Sequence, residues 1–190
     1  MFKLFASSVS LIVGLGCNVA SAQDAAQWVG PYAGLTYATN QGDMLYNDGG
    51  AFDLDGNTTG LILGYNFATQ GPWVFGAEIA YSGSRIEEVG NPAFGFESAL
   101  DLKARAGYAV GNALVYGTLG ATFTTWDEGS NGPFSGNGVL YGLGVDYHIS
   151  PSFFVGAEVA RRSITSDWNI SGDTLDADLT TLSLRAGVTF

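Results

Sequence analysis

The last nine residues, Leu182-Ser183-Leu184-Arg185-Ala186-Gly187-Val188-Thr189-Phe190, alternate apolar side chains with small or polar ones and end on an aromatic residue. Because successive side chains of a β-strand point to opposite faces, this alternation predicts a strand with one oily and one wet face. A soluble sandwich also contains such strands. The pattern recurs along this chain with large aromatic residues at the ends of the oily rows, so we expect the oily face to meet lipid.

The first 22 residues have the features of an export signal. Lys3 supplies the positive start, residues 4–16 are apolar, and Ala20-Ser21-Ala22 has the small-x-small pattern of a cleavage site. We therefore predict a cleaved signal peptide at residues 1–22 and a barrel domain at residues 23–190. The alternative is a lipoprotein signal acylated on Cys17, but the residues before this cysteine fit a lipobox poorly.

The charge and cysteine content of the chain argue against two classes of function. The chain has seven Lys and Arg and 18 Asp and Glu, and only Lys3 lies in the signal, so the mature net charge is six minus 18, or −12. This acidity argues against nucleic acid as a partner. Cys17, the sole cysteine, leaves with the signal, so thiol chemistry is excluded from the mature domain. We predict no cofactor.

The alternation predicts eight strands joined by connections that are alternately long and short. The first strand runs from about Pro31 to Thr39 and leads into a long acidic loop; further long loops are predicted at about residues 83–96, 124–136 and 163–178. Short turns are predicted around Gly71-Pro72, Gly111-Asn112 and residues 148–152. This is the plan of an all-β, eight-stranded antiparallel up-and-down transmembrane barrel, with long loops extracellular and both mature termini periplasmic.

Two belts of aromatic residues are expected where the strands cross the membrane surfaces. The periplasmic belt is formed by Tyr65, Phe67, Trp73, Tyr108, Tyr147, Phe153 and Phe190. The outer belt is formed by Tyr37, Tyr81, Phe123 and Tyr141.

Charged residues are predicted inside the barrel, on the faces opposite the oily rows. Glu78, Arg105, Glu158 and Arg185 each lie five residues from the periplasmic end of a strand, which places them about 12 Å deep and at one level. Unpaired charges there would be costly, so we predict an ion-pair network with Lys103 and Asp101 above it. It is either a gate or plug, or simply a satisfied polar core. A barrel of eight strands has an interior just filled by side chains, which argues against a wide pore.

Several short motifs resemble the porin-like small outer-membrane β-barrel family that includes opacity-type surface proteins. The motifs are residues 28–34 (WVGPYAG), 142–147 (GLGVDY) and 155–158 (VGAE), and the terminal Phe190. The resemblance implies that Phe190, with Leu184, Ala186 and Val188, is the signal read by the barrel-assembly machinery. The lumen charges also resemble those of the outer membrane protein A transmembrane domain. This chain lacks that protein's peptidoglycan-binding domain, so wall anchoring does not transfer.

Other motifs suggest weaker alternatives. His148-Ile149-Ser150 has the His-x-Ser spacing of barrel lipid A deacylases, but the available acid, Glu158, is predicted to lie in the lumen some way above. Asp53-Leu54-Asp55-Gly56-Asn57 is a poor match to a calcium loop. Trp126 and Trp168 fall in predicted outer loops, for packing or for a partner. Near the outer rim, lipopolysaccharide phosphates could be contacted by Arg85, Arg161 and Arg162.

The sequence thus predicts a non-enzymatic outer-membrane barrel with a structural and surface role, supporting envelope integrity and making contacts through its loops. Its partners would be outer-membrane lipid, lipopolysaccharide, the barrel-assembly machinery and a surface ligand of unknown identity. One alternative is a narrow porin for small solutes gated by the lumen ion pairs. A remote alternative is a lipid A-modifying enzyme.

Overall fold

The computed structural model describes residues 25–46, 50–127, 133–167 and 174–190. Within them, eight antiparallel strands form a closed barrel in sequence order, and β8 pairs back with β1. The strands are β1 (Gly30–Tyr46), β2 (Ala51–Ala68), β3 (Trp73–Glu88), β4 (Asn91–Val110), β5 (Ala113–Asp127), β6 (Pro133–Ser150), β7 (Phe153–Asp167) and β8 (Thr174–Thr189). The predicted ring of eight antiparallel strands is confirmed. The predicted signal at residues 1–22 lies outside the described residues.

The two ends of the barrel differ. At one end, here termed the turn end, short connections at residues 69–72, 111–112 and 151–152 join the strands. Gly71 and Gly111 adopt positive φ angles of 117° and 55° there, which favours glycine over other residues. The opposite end, where the remaining hairpins close, is termed the hairpin end.

The predicted long loops are wrong in extent, because the strands continue through most of them. β1 and β2 stay paired as far as Leu45 and Ala51, so the predicted acidic loop is largely a hairpin. The other three predicted loops are likewise mostly strand. The alternation persists there but is inverted: Asp43 and Asp53 are exposed, whereas Met44 and Leu54 face the interior. An apolar-inside, polar-outside wall indicates water around this part of the barrel, termed the hairpin half.

The exterior nearer the turn end is an apolar band. Its side chains are exposed although they are large and hydrophobic; Leu143, Leu119 and Leu184 are 73%, 66% and 62% exposed. So broad an apolar surface is unfavourable in water and is expected of a barrel facing hydrocarbon. All residues of the two predicted aromatic belts are exposed on this surface. In the described part of the chain, no helix is long and apolar enough to cross a membrane.

Candidate functional site

The barrel lumen is filled in three successive layers. A cluster that includes Trp28, His148 and Phe154 closes the turn end and is termed the turn-end plug. Charged side chains form the next layer, termed the charged layer. The hairpin half contains a hydrophobic cluster, termed the apolar plug, whose members are Met44, Leu54, Ile86, Phe96, Trp126, Phe134, Ile164, Leu175, Ala177 and Leu179.

Glu78 on β3 is the centre of the charged layer. Its carboxylate lies 2.5 Å from Lys103 Nζ, 3.4 Å from Arg105 Nη1 and 2.6 Å from Arg185 Nη2. Lys103 reaches this carboxylate because it is the direct cross-strand partner of Glu78 in the β3–β4 pair. Three cations around one buried carboxylate compensate the cost of removing it from water.

Two further acids complete the charged layer. Glu158 on β7 lies 3.0 Å from Lys103 Nζ and 3.5 Å from Arg185 Nη1. Asp146 on β6 lies 2.7 Å from Arg105 Nη2 and 3.1 Å from Arg185 Nε. The layer therefore contains three acids and three bases and has no net charge. The structure thus brings together the predicted residues Glu78, Lys103, Arg105, Glu158 and Arg185. Asp146, which the sequence analysis did not include in the network, joins them.

Two tyrosines add hydrogen bonds to the charged layer. Tyr32 Oη donates to Glu78 Oε2 at 2.7 Å and accepts a bond from Arg105 Nη1 at 2.6 Å. Tyr116 Oη accepts a bond from Arg185 Nη1 at 3.1 Å, and the Arg105 guanidinium lies 3.9 Å from the Tyr116 ring centroid. The prediction placed neither tyrosine in the network.

Each tyrosine ring occupies a socket left by a glycine. Tyr32 lies opposite Gly64 in the β1–β2 pair, and Tyr116 lies opposite Gly144 in the β5–β6 pair. A Cβ atom at either glycine would overlap the facing ring. The two glycines therefore allow the rings to lie flat against the wall with their hydroxyls reaching the charges.

Asp101 does not join the charged layer. It pairs instead with Arg162, whose Nη2 lies 2.5 Å from Asp101 Oδ2. Arg162 also donates to Thr181 Oγ1, which in turn donates to Asn40 Oδ1, so a second polar group crosses the lumen. The prediction that Arg162 contacts lipopolysaccharide is wrong, because residue parity on β7 turns its side chain inward. A cavity of about 60 Å³ separates these groups from the apolar plug.

The other two predicted rim arginines differ. Arg161 faces outward, half exposed, and its Nη2 lies 3.1 Å from Asp178 Oδ2. The backbone of Arg85 belongs to β3, but its side chain lies outside the described part. Asp178 also accepts a 2.6 Å hydrogen bond from Ser163 Oγ; this bond, with Arg161, holds the pKa of Asp178 below its usual range. Asp178 therefore stays ionised in mildly acidic solution.

The two plugs are built mainly from aromatic side chains. In the apolar plug, the Trp126 ring lies between Phe96, with centroids 3.3 Å apart, and Phe134, with centroids 5.6 Å apart. Trp126 is fully buried, so its role is internal packing and not contact with a partner protein. In the turn-end plug, residues 25–28 form one helical turn that places Trp28 on the His148 ring, with centroids 3.8 Å apart. Trp168 lies outside the described residues.

The residues proposed for catalysis or calcium binding are not assembled. His148 is stacked on Trp28, Ser150 Oγ accepts a bond from the Phe153 backbone N, and Glu158 is engaged by Lys103. The described residues contain no group of acids, histidines or cysteines able to hold a metal ion. Of the proposed assembly-signal residues, Leu184 on β8 and the terminal Phe190 are exposed on the apolar band, and their role stays a prediction.

Comparison with protein-family models assigns the chain. Residues 9–190 match the model described as the outer membrane protein beta-barrel domain. The chain belongs to this family. Family membership implies an integral protein of the outer membrane, as the apolar band requires. Comparison with curated protein sequences found no match.

Solved outer-membrane barrels have a similar fold. The attachment invasion locus protein Ail of Yersinia pestis is 18% identical, with a TM-score of 0.53 over 85% of this chain and 99% of Ail. Neisserial surface protein A is 17% identical, with a TM-score of 0.58 over 84% and 97% of the two chains. OprG of Pseudomonas aeruginosa is 15% identical, with a TM-score of 0.50 over 85% and 96%. Ail was also solved with the heparin analogue sucrose octasulfate.

Proposed function

We propose that this family member is a non-enzymatic surface barrel that supports the integrity of the outer membrane and presents its hairpin end for contacts, rather than a channel for solutes. The observation that supports this most directly is the filling of the lumen. A solute would have to displace Trp28, break the ion pairs of Glu78 and then pass the Phe96–Trp126–Phe134 stack. The two plugs are built from packed aromatic rings and the charges between them form ion pairs, so opening any one of these layers is costly.

The proposed orientation places the hairpin end outside the cell and the turn end in the periplasm. Barrels of this class have short periplasmic turns, and the three short turns all lie at one end. The polar exterior of the hairpin half suits the aqueous surface beyond the membrane. Phe190 and residues 25–28 then lie on the periplasmic side, where Phe190, Val188, Ala186 and Leu184 would meet the assembly machinery.

Planar-bilayer recording tests the choice between a surface barrel and a channel. We expect background conductance from the purified wild type and also from Trp126→Ala, because the charged layer still closes the lumen in that variant. An open porin recorded in the same bilayers provides the positive control. Stable unit conductance from the folded wild type would contradict the proposal and favour the narrow channel gated by the ion pairs.

Cysteine labelling in intact cells tests the orientation. Thr165→Cys on the exposed face of the hairpin half should react with a membrane-impermeant maleimide. Ser152→Cys in a short turn should react only after the outer membrane is permeabilised. The reverse result would invert the proposed orientation.

Two activities of comparable proteins are not proposed for this chain. Sucrose octasulfate is bound by Ail, but the hairpin half here has exposed carboxylates that would repel a polysulfate. A lipid A-modifying activity would need His148, Ser150 and an acid in contact, which the described geometry does not provide. Mass spectra of lipid A should therefore be unchanged when the protein is overexpressed.

A further inference from the structure

The exterior of β3–β6 changes character abruptly at the rim of the apolar band. Four outward residues lie directly opposite one another across these strands: Tyr81, Leu100, Phe123 and Asn137. The next row toward the hairpin end is also in register and consists of Gly83, Ser98, Thr125 and Ser135. Asn137 and this second row together are termed the hydroxyl shelf. Three hydroxyls thus lie one row above two aromatic rings, and the amide of Asn137 lies beside Phe123 in the row of the rings.

The shelf is recessed. A groove of about 440 Å³ runs over it, lined by side chains of both rows. Gly83 leaves its end of the row open, because a Cβ there would meet only the Tyr81 ring at ordinary contact distance. Tyr81 and Phe123 are 51% and 46% exposed and border the groove on its lipid side. In the described part of the chain, Ser98, Thr125, Ser135 and Asn137 make no side-chain hydrogen bond to another residue.

This combination of groups suits a sugar bound at a membrane surface. Hydroxyl and amide side chains both donate and accept hydrogen bonds, as sugar hydroxyls do. Aromatic rings present an apolar body to the C–H face of a sugar and are favoured where one end is apolar and the other is wet. A molecule in the groove would also touch the apolar band below, so a lipid-linked sugar satisfies both surfaces at once.

The outward face on the opposite side of the barrel has the contrary chemistry. There Asp178, Asp43 and Asp53 lie directly opposite one another, next to Ser163, and the adjacent row nearer the apolar band consists of Thr180, Gln41 and Asp55. Directly opposed like charges are unfavourable and would repel a phosphorylated headgroup. Neither row of the β3–β6 face contains a carboxylate; Glu87, Glu97 and Asp127 lie further toward the hairpin end.

We propose that the hydroxyl shelf binds the sugar headgroup of the outer-leaflet glycolipid, lipopolysaccharide, with its acyl chains lying along Leu100 and Phe123. The headgroup takes hydrogen bonds from Thr125, Ser135 and Asn137 and packs against Tyr81. This inference rests on the proposed orientation, because only the outer leaflet contains this lipid. It places the glycolipid on β3–β6 and away from the arginine-bearing face of β7.

A pair of matched variants tests the site. Thr125→Asp adds a carboxylate to the shelf, and Thr180→Asp adds the same group to the outward face of β8, beside Arg161. Purified lipopolysaccharide is titrated into each refolded protein in detergent, and native mass spectrometry counts the bound copies. We expect Thr125→Asp to bind about tenfold more weakly than the wild type, as loss of one to two hydrogen bonds implies, and Thr180→Asp to bind as the wild type does. Equal weakening in both variants, or in neither, would overturn the proposal.

Two further titrations separate sugar recognition from charge repulsion. Phosphatidylglycerol replaces lipopolysaccharide in a parallel titration, and the same loss for Thr125→Asp would show charge repulsion without sugar recognition, which overturns the proposal. Asn137→Leu removes hydrogen bonds without adding charge, and it should weaken lipopolysaccharide binding but not phosphatidylglycerol binding. Heat-modifiable gel mobility verifies that each variant is folded.

The result is separable from the proposed function. Titration in detergent does not depend on which end of the barrel faces outward, whereas cysteine labelling in cells does. If labelling fails and titration succeeds, the shelf binds the glycolipid in detergent but the orientation is wrong, and lipopolysaccharide is not its ligand in the cell. If titration fails and labelling succeeds, the barrel keeps its proposed role and the shelf is not a glycolipid site.

Discussion

At the scale of single residues, the lumen depends on two glycines as much as on its charges. Gly64 and Gly144 make room for Tyr32 and Tyr116, whose hydroxyls bind the charged layer. A methyl group at either glycine must push a buried ring off its hydrogen-bond partners, because the added Cβ would overlap the end of the ring that carries the hydroxyl.

We therefore expect Gly144→Ala to lower the free energy of unfolding by roughly 1–3 kcal/mol, the usual cost of overpacking. Guanidinium unfolding in detergent measures this effect. Gly117→Ala is the matched control: Gly117 faces the apolar band, and an added Cβ there meets atoms no closer than 3.8 Å. A similar loss in both variants would contradict the socket interpretation.

A second prediction concerns Glu78, the carboxylate with most cationic neighbours in the described lumen. Glu78→Gln leaves the charged layer with one uncompensated positive charge, so we expect a loss of about 3–5 kcal/mol in the free energy of unfolding. Asp178→Asn removes one partner of the half-exposed pair with Arg161 and should cost at most about 1 kcal/mol. Comparable losses in the same unfolding assay would show that the buried network is not the stabilising element.

The charges of the lumen could be located from the sequence, but their pairing could not. Alternation and depth placed Glu78, Arg105, Glu158 and Arg185 inside and at one level. The choice of partner depends on the shear of the barrel, which moves Asp146 down to Arg105 and lifts Asp101 to Arg162. Tyr32 and Tyr116 gave a weaker signal, although each follows the lumen parity of its strand and faces a glycine.

At the scale of strands, the alternation of apolar and polar residues reverses within a single strand: the apolar residues face outward in one part and inward in the other. In β2, Leu61 and Leu63 face outward, whereas at the start of the same strand Asp53 faces outward and Leu54 inward. A search for oily outward rows ends where this inversion begins and assigns the remainder to loops. The lengths of the strands were therefore underpredicted, although their number and order were correct.

Because the apolar plug packs only within the hairpin half, we expect this half to unfold locally without the rest of the barrel. Trp126→Ala should remove contacts with Phe96 and Phe134 and cost about 3–5 kcal/mol locally. Hydrogen exchange should then accelerate in the strand segments of the hairpin half while the segments of the apolar band stay protected.

The control for this variant is Trp73→Ala, which truncates an exposed tryptophan of the aromatic belt at the turn end. It should leave exchange in the hairpin half unchanged. Uniform acceleration along all strands in Trp126→Ala would show that the barrel opens as one unit, contrary to the prediction.

At the scale of the whole molecule, charge is sorted by position. The charged layer inside is neutral, while the exterior of the hairpin half exposes the carboxylates of Asp43, Asp53, Asp55, Asp176 and Asp178. We therefore expect no heat of binding when sucrose octasulfate is titrated into the protein by calorimetry at physiological salt.

The triple variant Asp43→Lys, Asp53→Lys, Asp178→Lys reverses the charge of the carboxylate row and should acquire weak, salt-dependent binding of the polysulfate. Tight binding by the wild type would contradict this view of the surface and return the ligand of Ail to consideration for this chain.

The inverted wall of the hairpin half also governs how the protein enters and leaves its bilayer. In the proposed orientation, the outward aspartates of β1, β2 and β8 must be carried through hydrocarbon, where each ionised group costs several kcal/mol. We therefore expect spontaneous insertion in that orientation to be slow. The same barrier acts in reverse once the barrel is seated. Withdrawal from the bilayer would again carry these carboxylates through hydrocarbon. The protein is therefore retained by a kinetic barrier as well as by its affinity for the membrane.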